Sequence, residues 1–97
     1  MKFEVFGKNG CARCKSAHQK LTHLVGKADV VGDILIDYYD VESVEGMAEG
    51  AFNDVIHIPT TILRSDAGEP MARWEGCLPP SIEVRAFLGS AASSPAS

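Results

Sequence analysis

Phe3-Glu4-Val5-Phe6-Gly7-Lys8-Asn9-Gly10-Cys11-Ala12-Arg13-Cys14-Lys15 is the stretch that decides how this 97-residue chain is read. Phe3 to Phe6 alternates apolar and polar in its first half and stops at Gly7, which predicts a short strand followed by a loop at Lys8-Asn9-Gly10. Small or apolar residues then recur at Cys14, Ala17, Leu21, Leu24 and Ala28, spaced by three and four. That spacing predicts an amphipathic helix from near Cys11 to near Gly26. Its other face carries Lys15, His18, Gln19 and Lys20, a solvated surface. Cysteines at i and i+3 on a first helical turn face the same way, so their sulfurs can close a small disulfide or hold one metal ion together.

Working outward, Asp33 opens a second strand over 34–41 whose apolar start suits an inner or doubly covered position. Val44, Met47, Ala48, Ala51, Phe52 and Val55 fall on one helical stripe, so a second helix is expected to press that stripe on the core. Gly46 and Gly50 weaken it. Pro59 precedes a β-branched strand, Thr60 to Arg64, and a turn at Ser65-Asp66-Ala67-Gly68 leads to a fourth strand, Met71 to Glu75, completing a hairpin. Pro79-Pro80-Ser81 starts a last helix carrying Ile82, Val84, Phe87 and Leu88, with Gly89 as its stop. One domain is expected over 1–89, with a disordered tail over 90–97. The order β-α-β-α-β-β-α gives an α/β fold: a four-stranded mixed sheet with helices on both faces.

A 45% hydrophobic and 23% charged composition is that of a globular domain able to bury one core unaided. The net charge of -4 is dispersed along the chain and leaves no clustered cationic face for nucleic acid. Met1-Lys2 runs straight into the first strand, without the apolar segment of a signal peptide, and no span is long enough to cross a membrane. The expected compartment is the cytosol, where structural disulfides are kept reduced, so the cysteine pair is read as redox-active or metal-binding. His18 and His57 can join Cys11 and Cys14 in a tetrahedral zinc site. A redox helix leaves its first cysteine accessible whereas a structural zinc site buries all its ligands, and the redox reading, with no metal and no bound cofactor, is preferred.

Three features together resemble the thioredoxin superfamily, and within it the short glutaredoxin-like and small redox-active disulfide proteins. They are Cys11-x-x-Cys14 between first strand and first helix, Ile58-Pro59-Thr60 before the third strand, and Gly76 after the fourth. The resemblance implies a thioredoxin-like fold and a monomeric dithiol-disulfide oxidoreductase that reduces protein disulfides in electron transport. A reductase or a low-molecular-weight thiol would supply the electrons. It makes Cys11 the nucleophile and Cys14 the resolver. Arg13 and Lys15, with the helix start, would lower the Cys11 pKa. It also implies a cis Pro59, with Ile58 offering backbone groups to an extended substrate, and it places Gly76 and Cys77 in the same substrate-binding patch. Val5 stands where thioredoxins carry a buried acid, Gly10 where they carry an aromatic residue. Gly76-Cys77-Leu78-Pro79 replaces the glycine pair and acid with which glutaredoxins hold glutathione. Two alternatives remain: a glutathione-dependent glutaredoxin-type reductase, or a metal-binding module using the same pair. Asp37 is a candidate buried acid, or equally a residue of the sheet's exposed edge.

Overall fold

The computed structural model describes residues 1–28 and 34–93. Its centre is β1 (Lys2–Gly7), buried from Phe3 to Gly7. On one side β1 pairs in parallel with β2 (Leu35–Asp40), and on the other antiparallel with β3 (Thr60–Arg64). β3 pairs antiparallel with β4 (Pro70–Glu75), giving the order β2-β1-β3-β4. Among the described residues three helices accompany the sheet: α1 (Ala12–Lys27), α2 (Val44–Phe52) and α3 (Ser81–Ser93). The α/β class, element order and mixed sheet are those read from the sequence.

Strand alternation divides the sheet into two unlike faces. Phe3 and Val5, with Leu63 and Trp74, point into a core shared with Ala17, Leu21 and Leu24 of α1 and Val84 and Leu88 of α3. Each large apolar side chain buried there contributes about 1.5–3 kcal/mol relative to exposure. Trp74 belongs to this core, its ring set edge-on to Phe87 and its Nε1 donating to Glu83 Oε1 at 3.0 Å. Glu4, one residue from Phe3 and Val5, faces the other way. It is 4% exposed and accepts a hydrogen bond from Arg64 Nε at 2.5 Å, with Lys2 Nζ at 3.4 Å. Arg64 also donates to Asn53 Oδ1, and Arg73 to the carbonyls of Asn53 and Asp54. Two guanidinium groups thus hold the C-terminal end of α2, where helix carbonyls lack partners and cations are favoured.

Three expectations are corrected. β2 is an edge strand, and Leu35 is 56% exposed, because the parallel partner it gains on β1 leaves its far side open. The stripe of α2 faces outward: Val44 is 87% exposed, Phe52 84%, and Met47, Ala48 and Ala51 are exposed as well. Val55, beyond the helix, is half-buried. What α2 buries is Gly46 and Gly50. A Cβ on Gly46 would occupy the space of the Asp40 carbonyl, so the helix approaches the end of β2 more closely than any side chain there allows. Finally, α3 passes Gly89 and continues to Ser93, since a glycine within a helix lowers its stability without ending it. Asp33, expected to open the second strand, lies outside the described residues, as do residues 94–97 of the expected tail.

Candidate active site

Gly7 ends β1, and Gly10 takes a positive φ of 80°, a conformation open to glycine, in the loop that turns the chain into α1. Cys11 then sits at the N-cap of α1 in extended conformation, and its Sγ accepts the backbone N–H of Cys14 at 3.2 Å. The sulfur therefore occupies the place that a serine or aspartate oxygen takes in an ordinary cap, facing unpaired N–H groups and the positive end of the helix. Cys11 and Cys14 are joined in a disulfide with Cα atoms 5.3 Å apart. The two sulfurs differ in access: Cys11 is half-buried, while Cys14 lies on the core side of α1 and is fully buried. The pair thus presents one sulfur toward solvent and keeps the other in the core.

Two further segments close on this helix start. Arg13 donates from its guanidinium to the Gly76 carbonyl at 2.5 Å. The Gly76 N–H donates in turn to the Pro59 carbonyl at 2.8 Å. Gly76 has a positive φ of 69°, which lets the chain turn back there after β4. The peptide bond from Ile58 to Pro59 is cis. This chain of hydrogen bonds links the cysteine loop, the Pro59 segment and the Gly76 turn, three segments widely separated in sequence. Ile58 is half-buried, and its backbone N–H and C=O make no hydrogen bond among the described residues. Cys77, next to Gly76, carries a free, exposed thiol.

Arg13 is thus engaged with a carbonyl, and Lys15, exposed on α1, borders the cysteine on its other side. There a depression of about 560 Å³ is bounded by Lys8, Cys11, Lys15, His18 and Tyr38. His18 packs on the Tyr38 ring with centroids 5.2 Å apart. The Tyr38 hydroxyl is pushed above the usual tyrosine range, first by burial and then by the charge of Asp40. His57 lies elsewhere, beside Gly76, and the described residues contain no group of three or more side chains able to hold a metal ion. Asp37 is on the exposed edge: its carboxylate pairs with Lys2 at 3.7 Å and, opposite Glu4 in register, sits on the sheet face away from Cys14. Sequence reasoning singled out neither Tyr38 nor Glu4. Glu4 carried a signal, a lone acid in an apolar central strand, but Tyr38 becomes visible only once Val5 is paired with it across the sheet.

Fold and site together define a thioredoxin fold with a cysteine-pair disulfide at its first helix. Thioredoxin 1 from Thermosipho africanus superposes with a TM-score of 0.68 over 93% of this chain and 99% of its own, at 23% identity. An uncharacterised thioredoxin-like protein from Clostridium perfringens gives 0.73 over 93% of this chain and 69% of its own, at 19% identity. Thioredoxin O2 from Arabidopsis thaliana, in its oxidised state, gives 0.71 over 94% and 74%, at 14% identity. No protein-family model and no curated protein sequence matches the chain.

Proposed function

We propose that the protein is a dithiol-disulfide oxidoreductase that reduces disulfides in protein substrates. The observation that carries this reading is the asymmetry of the pair: a half-buried Cys11 sulfur capping a helix, disulfide-bonded to a fully buried Cys14. In the reduced protein Cys11 attacks a substrate disulfide as its thiolate and forms a mixed disulfide, releasing one substrate sulfur. Cys14 then attacks Cys11, expelling the second substrate sulfur and leaving the Cys11–Cys14 disulfide. Two electrons pass to the substrate, and no bound cofactor is needed.

Ile58, beside the cis bond to Pro59, offers an edge for an extended substrate, with Gly76 and Cys77 forming the neighbouring wall. Lys15 adds positive charge near Cys11, whereas Arg13 acts chiefly by holding the Gly76 turn. A reductase or low-molecular-weight thiol returns the pair to its reduced form, and the protein works as a monomer in the cytosol. No described helix is long and apolar enough to cross a membrane.

The test is catalysis of insulin reduction by dithiothreitol, run beside trapping of mixed disulfides. The parent should accelerate reduction, Cys14→Ser should accumulate mixed disulfides through Cys11, and Cys11→Ser should not. Equal trapping by both variants, or no acceleration over dithiothreitol alone, would refute the reading. Retention of full activity by Cys14→Ser toward a glutathione mixed disulfide would instead favour a glutaredoxin-type reaction.

A further inference from the structure

The resolving step poses a problem that the described carboxylates near the strand do not solve. Cys14 is fully buried, yet to attack it must lose a proton. Val5 fills the adjacent strand position, Glu4 and Asp37 lie on the opposite face of the sheet, and Asp40, opposite Gly7 in register, is engaged by the Glu42 N–H at 2.9 Å. Tyr38, which pairs across the sheet with Val5, shares the face on which Cys14 lies, and its hydroxyl and the Cys14 sulfur border the same space above Gly7.

The approach is made possible by Gly7. A methyl carbon placed there would stand 2.5 Å from Tyr38 Oη, 2.6 Å from Cys14 Cβ and 2.9 Å from Cys14 Sγ. The phenol oxygen and the sulfur thus converge on the one spot that a side chain would otherwise occupy. On its other side the Tyr38 ring packs on His18, one helical turn beyond Cys14, and both line the depression open to solvent.

We propose that Tyr38 is the acid-base group of the resolving step, carrying the Cys14 proton outward to His18; this rests on the redox reading above. As Cys14 Sγ–H gives its proton to Tyr38 Oη, the phenol passes its own to the His18 imidazole. The Cys14 thiolate, now accepting a hydrogen bond from Tyr38, attacks Cys11 Sγ. The bond between Cys11 and the substrate sulfur breaks, its electron pair leaves on that sulfur, and the sulfur is protonated from solvent. Because burial holds the phenol above its usual range, Tyr38 is protonated near neutrality and acts as a donor and relay rather than as a stored base. Lys8 and Lys15 beside the depression, and Asp40 at the end of β2, are the other charged groups facing this pair.

A chromogenic aryl disulfide tests the proposal by stopped flow, because it separates the two attacks. The first equivalent of aryl thiolate reports Cys11, and the second reports displacement by Cys14. Parent and Tyr38→Phe are compared, both carrying Cys77→Ala so that the third thiol is silent. Loss of a hydrogen bond to a charged sulfur should slow the second phase of Tyr38→Phe about ten- to hundredfold relative to the first. The pH midpoint of that phase should move upward, and His18→Gln should move it the same way by less. An unchanged ratio of phases and an unchanged pH midpoint in Tyr38→Phe would overturn the role of Tyr38 while leaving the redox reading intact. A parent protein that released no aryl thiolate would overturn both.

Discussion

Two glycines in one helix should respond to alanine in opposite directions. Gly46 and Gly50 lie a turn apart on the buried face of α2, and helix propensity alone gives alanine about 1 kcal/mol over glycine at each. At Gly50 the new methyl meets Val55 at 3.8 Å and Val41 at 3.9 Å, ordinary contacts, so Gly50→Ala should gain about 1 kcal/mol. At Gly46 it meets the backbone carbonyl of Asp40, which cannot swing aside, and Ser43 Oγ at 2.9 Å. Relief requires the helix start to lift, breaking the cap in which Ser43 Oγ accepts from Gly46 N at 3.0 Å and donates to the Asp40 carbonyl at 2.7 Å. A lost cap costs about 1 kcal/mol and overpacking about 1–3, against about 1 gained in propensity, so Gly46→Ala should lose about 2 kcal/mol. Thermal unfolding of a domain this size moves about 4–8 °C per kcal/mol. Gly50→Ala should therefore melt higher than the parent by about 4–8 °C, and Gly46→Ala lower by about 8–16 °C. If the two variants shifted in the same direction, the glycine-faced docking of α2 would be wrong.

Thr61 Oγ1 is buried without a hydrogen-bond partner among the described residues, so Thr61→Val, nearly equal in shape, should raise the urea midpoint by about 1 kcal/mol of stability with an unchanged m-value. Arg64→Met strands the Glu4 carboxylate with Lys2 alone and releases Asn53; it should cost about 3 kcal/mol and more than Glu4→Gln, and equal, small losses in denaturant titrations would argue against a structural ion pair. Tyr39 is raised chiefly by burial and then by Glu4, Glu49 and Asp37, and Tyr38 by burial and Asp40. Since the folded state holds these phenolic protons more tightly than the unfolded chain, their contribution is complete below about pH 10 and is lost as pH rises above it. Melting temperature should accordingly fall above that pH, less steeply in Tyr39→Phe; an equally steep fall in that variant would refute the assignment.

The parts of this fold that were legible in the sequence are those where a local pattern and the tertiary environment agree. Cys14, Ala17, Leu21 and Leu24 follow the helical period and are the buried face of α1, and the Thr60–Arg64 and Met71–Glu75 runs pair as the hairpin their composition suggests. α2 shows how the same rule misleads. Val44, Met47 and Phe52 share a face, and periodicity says only that they share one. Which face turns inward was settled by a contact 3 residues before the cap, where the Asp40 carbonyl admits glycine alone. Edge position is likewise invisible in β2, because strand order depends on which partner each strand meets, not on its own composition.

At the site, residue types at a known spacing were enough to find the cysteine pair, but not to show what surrounds it. Arg13 reads in sequence as a charge beside Cys11. In the fold its guanidinium ties down Gly76, whose N–H holds Pro59 in turn, so its geometric role is to join three loops. Tyr38 reads as one of two tyrosines in an edge strand, and only parallel pairing with β1, together with the missing side chain at Gly7, brings its hydroxyl to the space that the Cys14 sulfur also borders. The chemistry of the pair thus follows from which sulfur the scaffold leaves reachable. Cys11, at the helix cap, is half-buried, whereas Cys14 is fully buried on the core side of α1, next to the groups that β1 and β2 bring there.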